Sequence, residues 1–325
     1  MVTIAFAMTS VGTAEAAQGE IAYGKLSIGE DRGGQPVHLP VAVINGAEPG
    51  DTLYIQSVSD GDELNGLGAV TRFLRAVDPG EVTGTIIVIA ITNYHAFLRA
   101  RHRNPIDHTK LNRAYPGDAE GSSSDRIAAK TFEIASQADI ALDLHQGSTS
   151  RMINETRVRC GRHHDLHDAC LELARVFDTG HILDQQGPDG QLARVLADEG
   201  IPTVNPELGG SVGWDEESVE IGERGIWNVL TAYGFTEGSV EPSEQSRIGG
   251  FDQYYSPCGG LVEFSVDLGV EVGEGDELYT VISPLGQVRE TVTAVDDGIF
   301  WRSTRLPQVA TGEYVCSVGT DIDAV

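Results

Sequence analysis

Three carboxylates fall within four residues at Asp60, Asp62 and Glu63. Anions crowded in this way repel one another unless something positive sits among them, and a metal ion is the simplest such partner. The same residue types also cap the first turn of a helix and oppose its dipole, so the cluster alone admits both readings. Three other places carry chemistry: Asp143 and His145 in DIALDLH, Glu207 after IPTVNP, and the segment RHRNPIDHTKLNRAYPGD from Arg101 to Asp118. Hydrolysis at zinc needs three protein ligands drawn from His and carboxylates, an open position for water, and a nearby carboxylate to take its proton. Asp60, Glu63 and His145 can supply the ligands, and Glu207 the base. A single His at a strand end is more often a satisfied polar residue than a ligand, so His145 counts only in company. Alternation along the strand puts Asp143 on the face of His145, where it can orient the ring or simply hydrogen-bond a neighbouring loop. Arg113 can grip a carboxylate bidentately and Asn112 can add a hydrogen bond, although a surface arginine paired with the protein's own acids competes with that reading.

These groups need elements to hold them. Thr52 to Val58 has strand character, and Leu64, Leu67, Val70, Phe73, Leu74 and Val77 recur at helical spacing, so residues 59–63 form a strand-to-helix turn. Ile86 to Ile91 follows as an apolar run buried on both faces, which completes a βαβ unit and implies a parallel sheet. Strands are expected before it at Ile21 to Ile28 and Val37 to Ile44. Asn93 to Gly121 lacks periodicity, and a loop so long inside a domain is usually functional. Beyond it the pattern predicts helices at Ser124 to Ala138, Asp165 to Phe177, Asp189 to Asp198 and Glu216 to Tyr233. Strands are predicted at Asp139 to His145, Met152 to Val158 and Ile201 to Asn205. In open parallel sheets such strand ends are where sites lie. Past Gly238 strands become short and turns frequent, with Asp297-Gly298 as a hairpin signal and Glu274-Gly275-Asp276 as a turn. This divides the chain into a catalytic α/β domain, residues 1–238, and a small all-β domain, residues 239–325.

Composition bounds the setting. The chain has 325 residues, 49 acidic against 22 basic, and a net charge of -27, with Lys25, Lys110 and Lys130 its three lysines. Self-repulsion this strong is tolerable where salt shortens the Debye length, which implies a halophilic cytoplasm. It also argues against nucleic acid as a partner. Four scattered cysteines without a CxxC pair read as reduced thiols. The first twenty residues are mildly apolar but lack a basic start, so export is not expected, and translation from Met8 is an alternative to Met1. No stretch is long enough to span a bilayer, so no membrane role is expected, and self-association is left open.

Taken together, the G-D-E turn, the N-P-I-D and L-N-R-A-Y-P-G loop, the D-L-H strand end and P-E-L-G-G resemble the succinylglutamate desuccinylase/aspartoacylase family, zinc deacylases related to the metallocarboxypeptidases. The resemblance runs over about residues 37–235. It implies a mixed, mostly parallel sheet flanked by helices, metallocarboxypeptidase-like, with one zinc ion on Glu63 and His145. It further implies that Asn112 and Arg113 hold a substrate carboxylate and that Glu207 takes the proton of the attacking water. The implied activity is deacylation of an N-acyl amino acid or related small amide. A peptidase and a non-catalytic binding descendant are the alternatives.

Two positions depart from the family pattern. Its turn usually reads H-G-D-E, whereas Asp60 stands here in place of the first histidine. A carboxylate is an acceptable zinc ligand but makes the site harder and more anionic, which could favour another divalent metal. His102 occupies the position of an arginine that polarises the scissile carbonyl, with Arg101 and Arg103 on either side, and any of the three can take that part. The tail also resembles a biotinyl/lipoyl-like barrel, but all three lysines precede residue 131, so it carries no attachment lysine and is expected to shape the catalytic mouth.

Overall fold

A computed structural model of the chain describes residues 8–147, 150–211 and 213–325. The choice between Met1 and Met8 as the start rests on residues 1–7 and lies outside them. Among the described strands, thirteen form one sheet. At its centre Glu48–Ser57 runs parallel to both Thr83–Ile89 and Ile140–Gly147, and Ile140–Gly147 runs parallel to Thr203–Gly210. Antiparallel strands Pro36–Asn45 and Glu20–Glu30 close one side. On the other, Glu155–Val158 pairs antiparallel with Thr203–Gly210 and parallel with His181–Asp184. This is the expected mixed α/β architecture.

Helices cover both faces. Asn65–Ala76, His167–Phe177 and Glu216–Ala232 pack on one face through Phe73, Leu173, Phe177, Ile226 and Val229. Gly225 permits this closeness, since a Cβ there would meet the Phe177 ring at 2.5 Å. Ser123–Ala135 and Leu192–Asp198 cover the other face through Ile127, Ala128, Leu192 and Leu196. A capping box between Ser122 and Asp125 starts the first of these helices. The hairpin of Met8–Val11 and Ala14–Ala17 adds Val11, Ala14 and Ala16 to the same core.

The tail is joined to the catalytic sheet by backbone hydrogen bonds. Ser246–Tyr255 lies parallel to His181–Asp184 and pairs antiparallel with Tyr314–Ala324, which in turn pairs with Gly298–Thr304. Four more tail strands form a separate antiparallel sheet over Leu278, Tyr279, Val281 and Val309.

Several local expectations are corrected. His181–Asp184, only four residues long, is a strand that periodicity does not reveal. The stretch predicted as one strand from Met152 to Val158 is two, Ser150–Met152 pairing with Gly298–Thr304 and Glu155–Val158 with Thr203–Gly210. The strand predicted to end at Asn205 runs through Pro206 to Gly210, so Glu207 sits within a strand. Asp297-Gly298 does not close a hairpin. The strands on either side of it, Val288–Thr293 and Gly298–Thr304, belong to different sheets.

Candidate active site

The acidic turn is forced into shape by its neighbours. Val58, at the end of its strand, is buried and held at φ +57°, a strained state for a β-branched residue. Gly61 follows because nothing larger fits: a Cβ there would lie 2.1 Å from the Ala96 carbonyl carbon. The Gly61 amide donates to the Arg101 carbonyl at 3.0 Å, which seats the next residue, His102, beside the carboxylates. Gln146, on the strand after His145, accepts from the amides of Leu64 and Asn65 at 2.8 and 3.0 Å. It thereby caps the helix that the turn opens, for which Leu64 has no suitable side chain.

Asp60, Glu63 and His102 each offer a donor atom within 4.8 Å of the others. His145 completes the group, with Nδ1 2.9 Å from Glu63 Oε2 and 3.8 Å from Asp60 Oδ2. Its Nε2 lies 3.0 Å from Asp143 Oδ2, so a proton assigned to Nε2 leaves Nδ1 turned toward the carboxylates. Asp143 is locked in turn by Gln56, whose amide donates to Oδ1 at 2.8 Å. The predicted orienting role of Asp143 matches this geometry.

The residues fit a divalent cation. Asp60 is fully buried, and neither of its oxygens accepts a hydrogen bond; one oxygen of Asp62 is in the same condition. Lys110 supplies partial compensation, its ammonium 3.1 Å from Asp60 Oδ2. Buried carboxylates without hydrogen bonds call for positive charge, and two carboxylates with imidazole suit zinc and its neighbours. Burial and the charge of Asp60 push Glu63 up to about 7. Burial opposes charge on His145, but Asp143 and Glu63 outweigh it and raise its pKa well above the ordinary value.

Glu207 stands beside this group. It is the register partner of His145 on one side and of Glu155 on the other. Arg157 bridges the two glutamates, with Nη1 2.8 Å from Glu207 Oε1 and Nε 2.5 Å from Glu155 Oε1. Burial works against charge on Glu207, but Arg157, His145 and Lys110 prevail and hold it at about 2.

The other predicted residues are distributed unevenly. Asn112 is buried and spends both ends of its amide on the protein: Nδ2 donates to Asp143 at 3.3 Å and lies 2.8 Å from His145 Nε2, while Oδ1 accepts from the Leu192 amide at 2.9 Å. Arg113 is exposed and bonds the Asn112 carbonyl. Of the three loop residues, His102 joins the cluster, whereas Arg101 and Arg103 are exposed, the latter donating to the His108 carbonyl at 3.4 Å. Lys110, Glu155 and Arg157 were not among the predicted site residues. The rarity of lysine marks the first, and E-T-R-V-R, with charge at every second position of a strand, marks the others.

Fold and site together define an α/β protein with a carboxylate–imidazole cluster at the carboxyl ends of parallel strands. The chain belongs to the succinylglutamate desuccinylase/aspartoacylase family, whose catalytic domain matches residues 49–233. It is 31% identical over 259 residues to the N-alpha-acetyl-L-2,4-diaminobutyric acid deacetylase of Halomonas elongata, covering 75% of this chain and 74% of that one. Among solved structures it is similar to a succinylglutamate desuccinylase from Silicibacter sp. TM1040 (26% identity, 98% and 100% of the two chains, TM-score 0.84). It shares its fold with the product-bound ectoine utilization protein EutE (DoeB) of Ruegeria pomeroyi (24%, 97% and 98%, TM-score 0.86).

Proposed function

We propose that the protein is a metal-dependent deacylase that hydrolyses the amide of a small N-acyl amino acid to a carboxylate and an amine. The observation that carries this reading is the register pairing of Glu207 with His145 next to Asp60 and Glu63, which joins a proton acceptor to a cation site. Asp60, Glu63, His145 and His102 are the residues that would hold the ion, with zinc the first candidate and another divalent metal the alternative. When bound, the ion would polarise the scissile carbonyl and acidify a water. Glu207, kept ionised by Arg157, would accept the proton of the attacking water and deliver it to the leaving nitrogen as the C–N bond breaks. Asp143, to which Asn112 donates, would hold the His145 ring in place. Oxyanion stabilisation falls to Lys110, 3.1 Å from Asp60, with Arg103 further out on the same loop.

On this reading residues 1–238 carry the chemistry, and residues 239–325 wall its mouth with Tyr255, Arg302 and Tyr314. The charge of -27 supports a salt-rich cytoplasm as the working environment. The test is amine release by protein purified in high salt and loaded with zinc. Nα-acetyl-L-2,4-diaminobutyrate, the compound in the Halomonas relative's name, is the first substrate, followed by other N-acetyl amino acids and short peptides. Turnover of acyl amino acids supports the proposal. Turnover of peptides alone replaces it with a peptidase.

A further inference from the structure

Gln146 follows His145 on its strand and is buried, and it spends its hydrogen bonds on two other pieces of chain. Its backbone amide donates to Glu63 Oε2 at 3.0 Å, and its Oε1 accepts from the amides of Leu64 and Asn65. Its Nε2 donates to the carbonyls of Ser211 and, at 3.3 Å, Gly213. Capping the helix behind Glu63 requires only the oxygen. The nitrogen reaches a different element, the chain just beyond the strand Thr203–Gly210 that carries Glu207.

That chain needs holding. Ser211 sits at φ +78°, an uncommon state for a residue with a side chain, and Gly213 meets Glu63 through an isolated parallel bridge. Asn65, fully buried on the helix behind Glu63, grips the same chain on both sides of these two residues. Its Nδ2 donates to the Leu208 carbonyl at 2.8 Å, and its Oδ1 accepts from the Asp215 amide at 2.8 Å. Leu208 directly follows Glu207. Two side-chain amides thus fasten the strand end of the proton acceptor to the helix start behind a candidate cation ligand. An amide suits this place because it donates and accepts at once. It also adds no charge to a turn that already holds Asp60, Asp62 and Glu63.

We infer that Gln146 is a positioning residue that sets Glu207 against the cation turn. Its oxygen fixes the turn through the helix start, and its nitrogen fixes the chain that leaves the strand of Glu207. The effect on rate rests on the deacylase reading; the effect on the cation turn does not.

Two variants of the full chain, purified in high salt, test it. Zinc affinity is read by competition with a chelator, and kinetics are read at saturating zinc with Nα-acetyl-L-2,4-diaminobutyrate. Gln146→Met matches the length of the side chain and removes both halves of the amide. It should weaken zinc binding by about tenfold or more, as loss of a group supporting a metal ligand does. Its kcat should fall by about tenfold or more while KM stays within about twofold of wild type. Gln146→Glu keeps the acceptor for Leu64 and Asn65 and loses the donor to Ser211 and Gly213. It should bind zinc no more weakly than wild type and still lose kcat. A residue that only caps a helix would lower the unfolding midpoint of Gln146→Met and leave zinc affinity and kcat unchanged, which overturns the inference. Wild-type kcat in Gln146→Glu overturns the link to Glu207, and this variant decides should Gln146→Met not fold. If wild type itself releases no amine, the deacylase reading fails and the zinc affinities alone decide: a loss in Gln146→Met supports the positioning of the turn, and an unchanged value overturns it.

Discussion

His102 Nε2 lies 3.6 Å from Asp60 Oδ1, on the loop that the Gly61 amide ties down. An imidazole is thus present at the carboxylate that the family resemblance sets in the place of a histidine, and the candidate cation site has two nitrogen-bearing side chains, His102 and His145. Removing either partner should therefore weaken the cation site to different extents. Asp60→Ala should abolish stoichiometric zinc, and His102→Gln should lower affinity by about 10- to 100-fold, as loss of a supporting group in a metal site does. Metal analysis after dialysis against a chelator of graded strength reads both. Full zinc retention by His102→Gln would exclude the ring as a donor.

Glu207→Gln keeps the size and the strand pairing of Glu207 but cannot accept a proton. Turnover should fall by about 10²- to 10⁴-fold with the zinc content unchanged. Near wild-type kcat in this variant would remove Glu207 from the chemistry.

Arg157 neutralises two buried glutamates at once. Arg157→Met leaves both without a partner, and a stability loss of about 3–5 kcal/mol is expected from one such broken pair. Denaturant titration in molar salt measures it. The double variant Arg157→Met with Glu155→Gln should recover part of the loss. No difference between single and double variants would show that the glutamates do not depend on Arg157.

His181 packs edge-on against Trp301 at the junction of sheet and tail, with ring centres 5.4 Å apart. Burial lowers its pKa, against the bond with Asn154 that raises it. The unfolded imidazole therefore takes a proton first as pH falls. Its contribution to stability is complete above about pH 6.5 and is lost as pH falls toward the depressed folded value. Comparing melting temperatures at about pH 7.5 and about pH 5.5, wild type should lose more than His181→Gln. Equal losses would assign the acid sensitivity to other groups.

How far the sequence reveals this site depends on how local each signal is. Asp60, Glu63, His145 and Glu207 sit at or near strand ends in short runs whose residue types need explanation on their own. The helices that pack against their strands repeat at 3.6-residue spacing. Arg157 and Arg302 gain meaning only from strand order: Glu155–Val158 enters antiparallel beside Thr203–Gly210, and Arg302 arrives from the far end of the chain. His181–Asp184 is too short for periodicity to register, although it is the strand that receives the tail. Asp297-Gly298 marks a real change of direction, but turn chemistry does not say which sheet the next strand will join. Asn112 shows a further limit. Its residue type suits a substrate clamp, and only the fold reveals that its amide also bonds Asp143 and the Leu192 amide.

The pairing of Ser150 with Thr304, 154 positions later, has a bearing on synthesis. When the ribosome has completed residues 1–238, Ser150–Met152 has no strand to pair with and His181–Asp184 presents an open edge. The sheet of the catalytic half can be completed only once residues 246–255 and 298–304 are available to pair with it. Until then the edge of His181–Asp184 is open, and an open strand edge is a template for pairing with another chain.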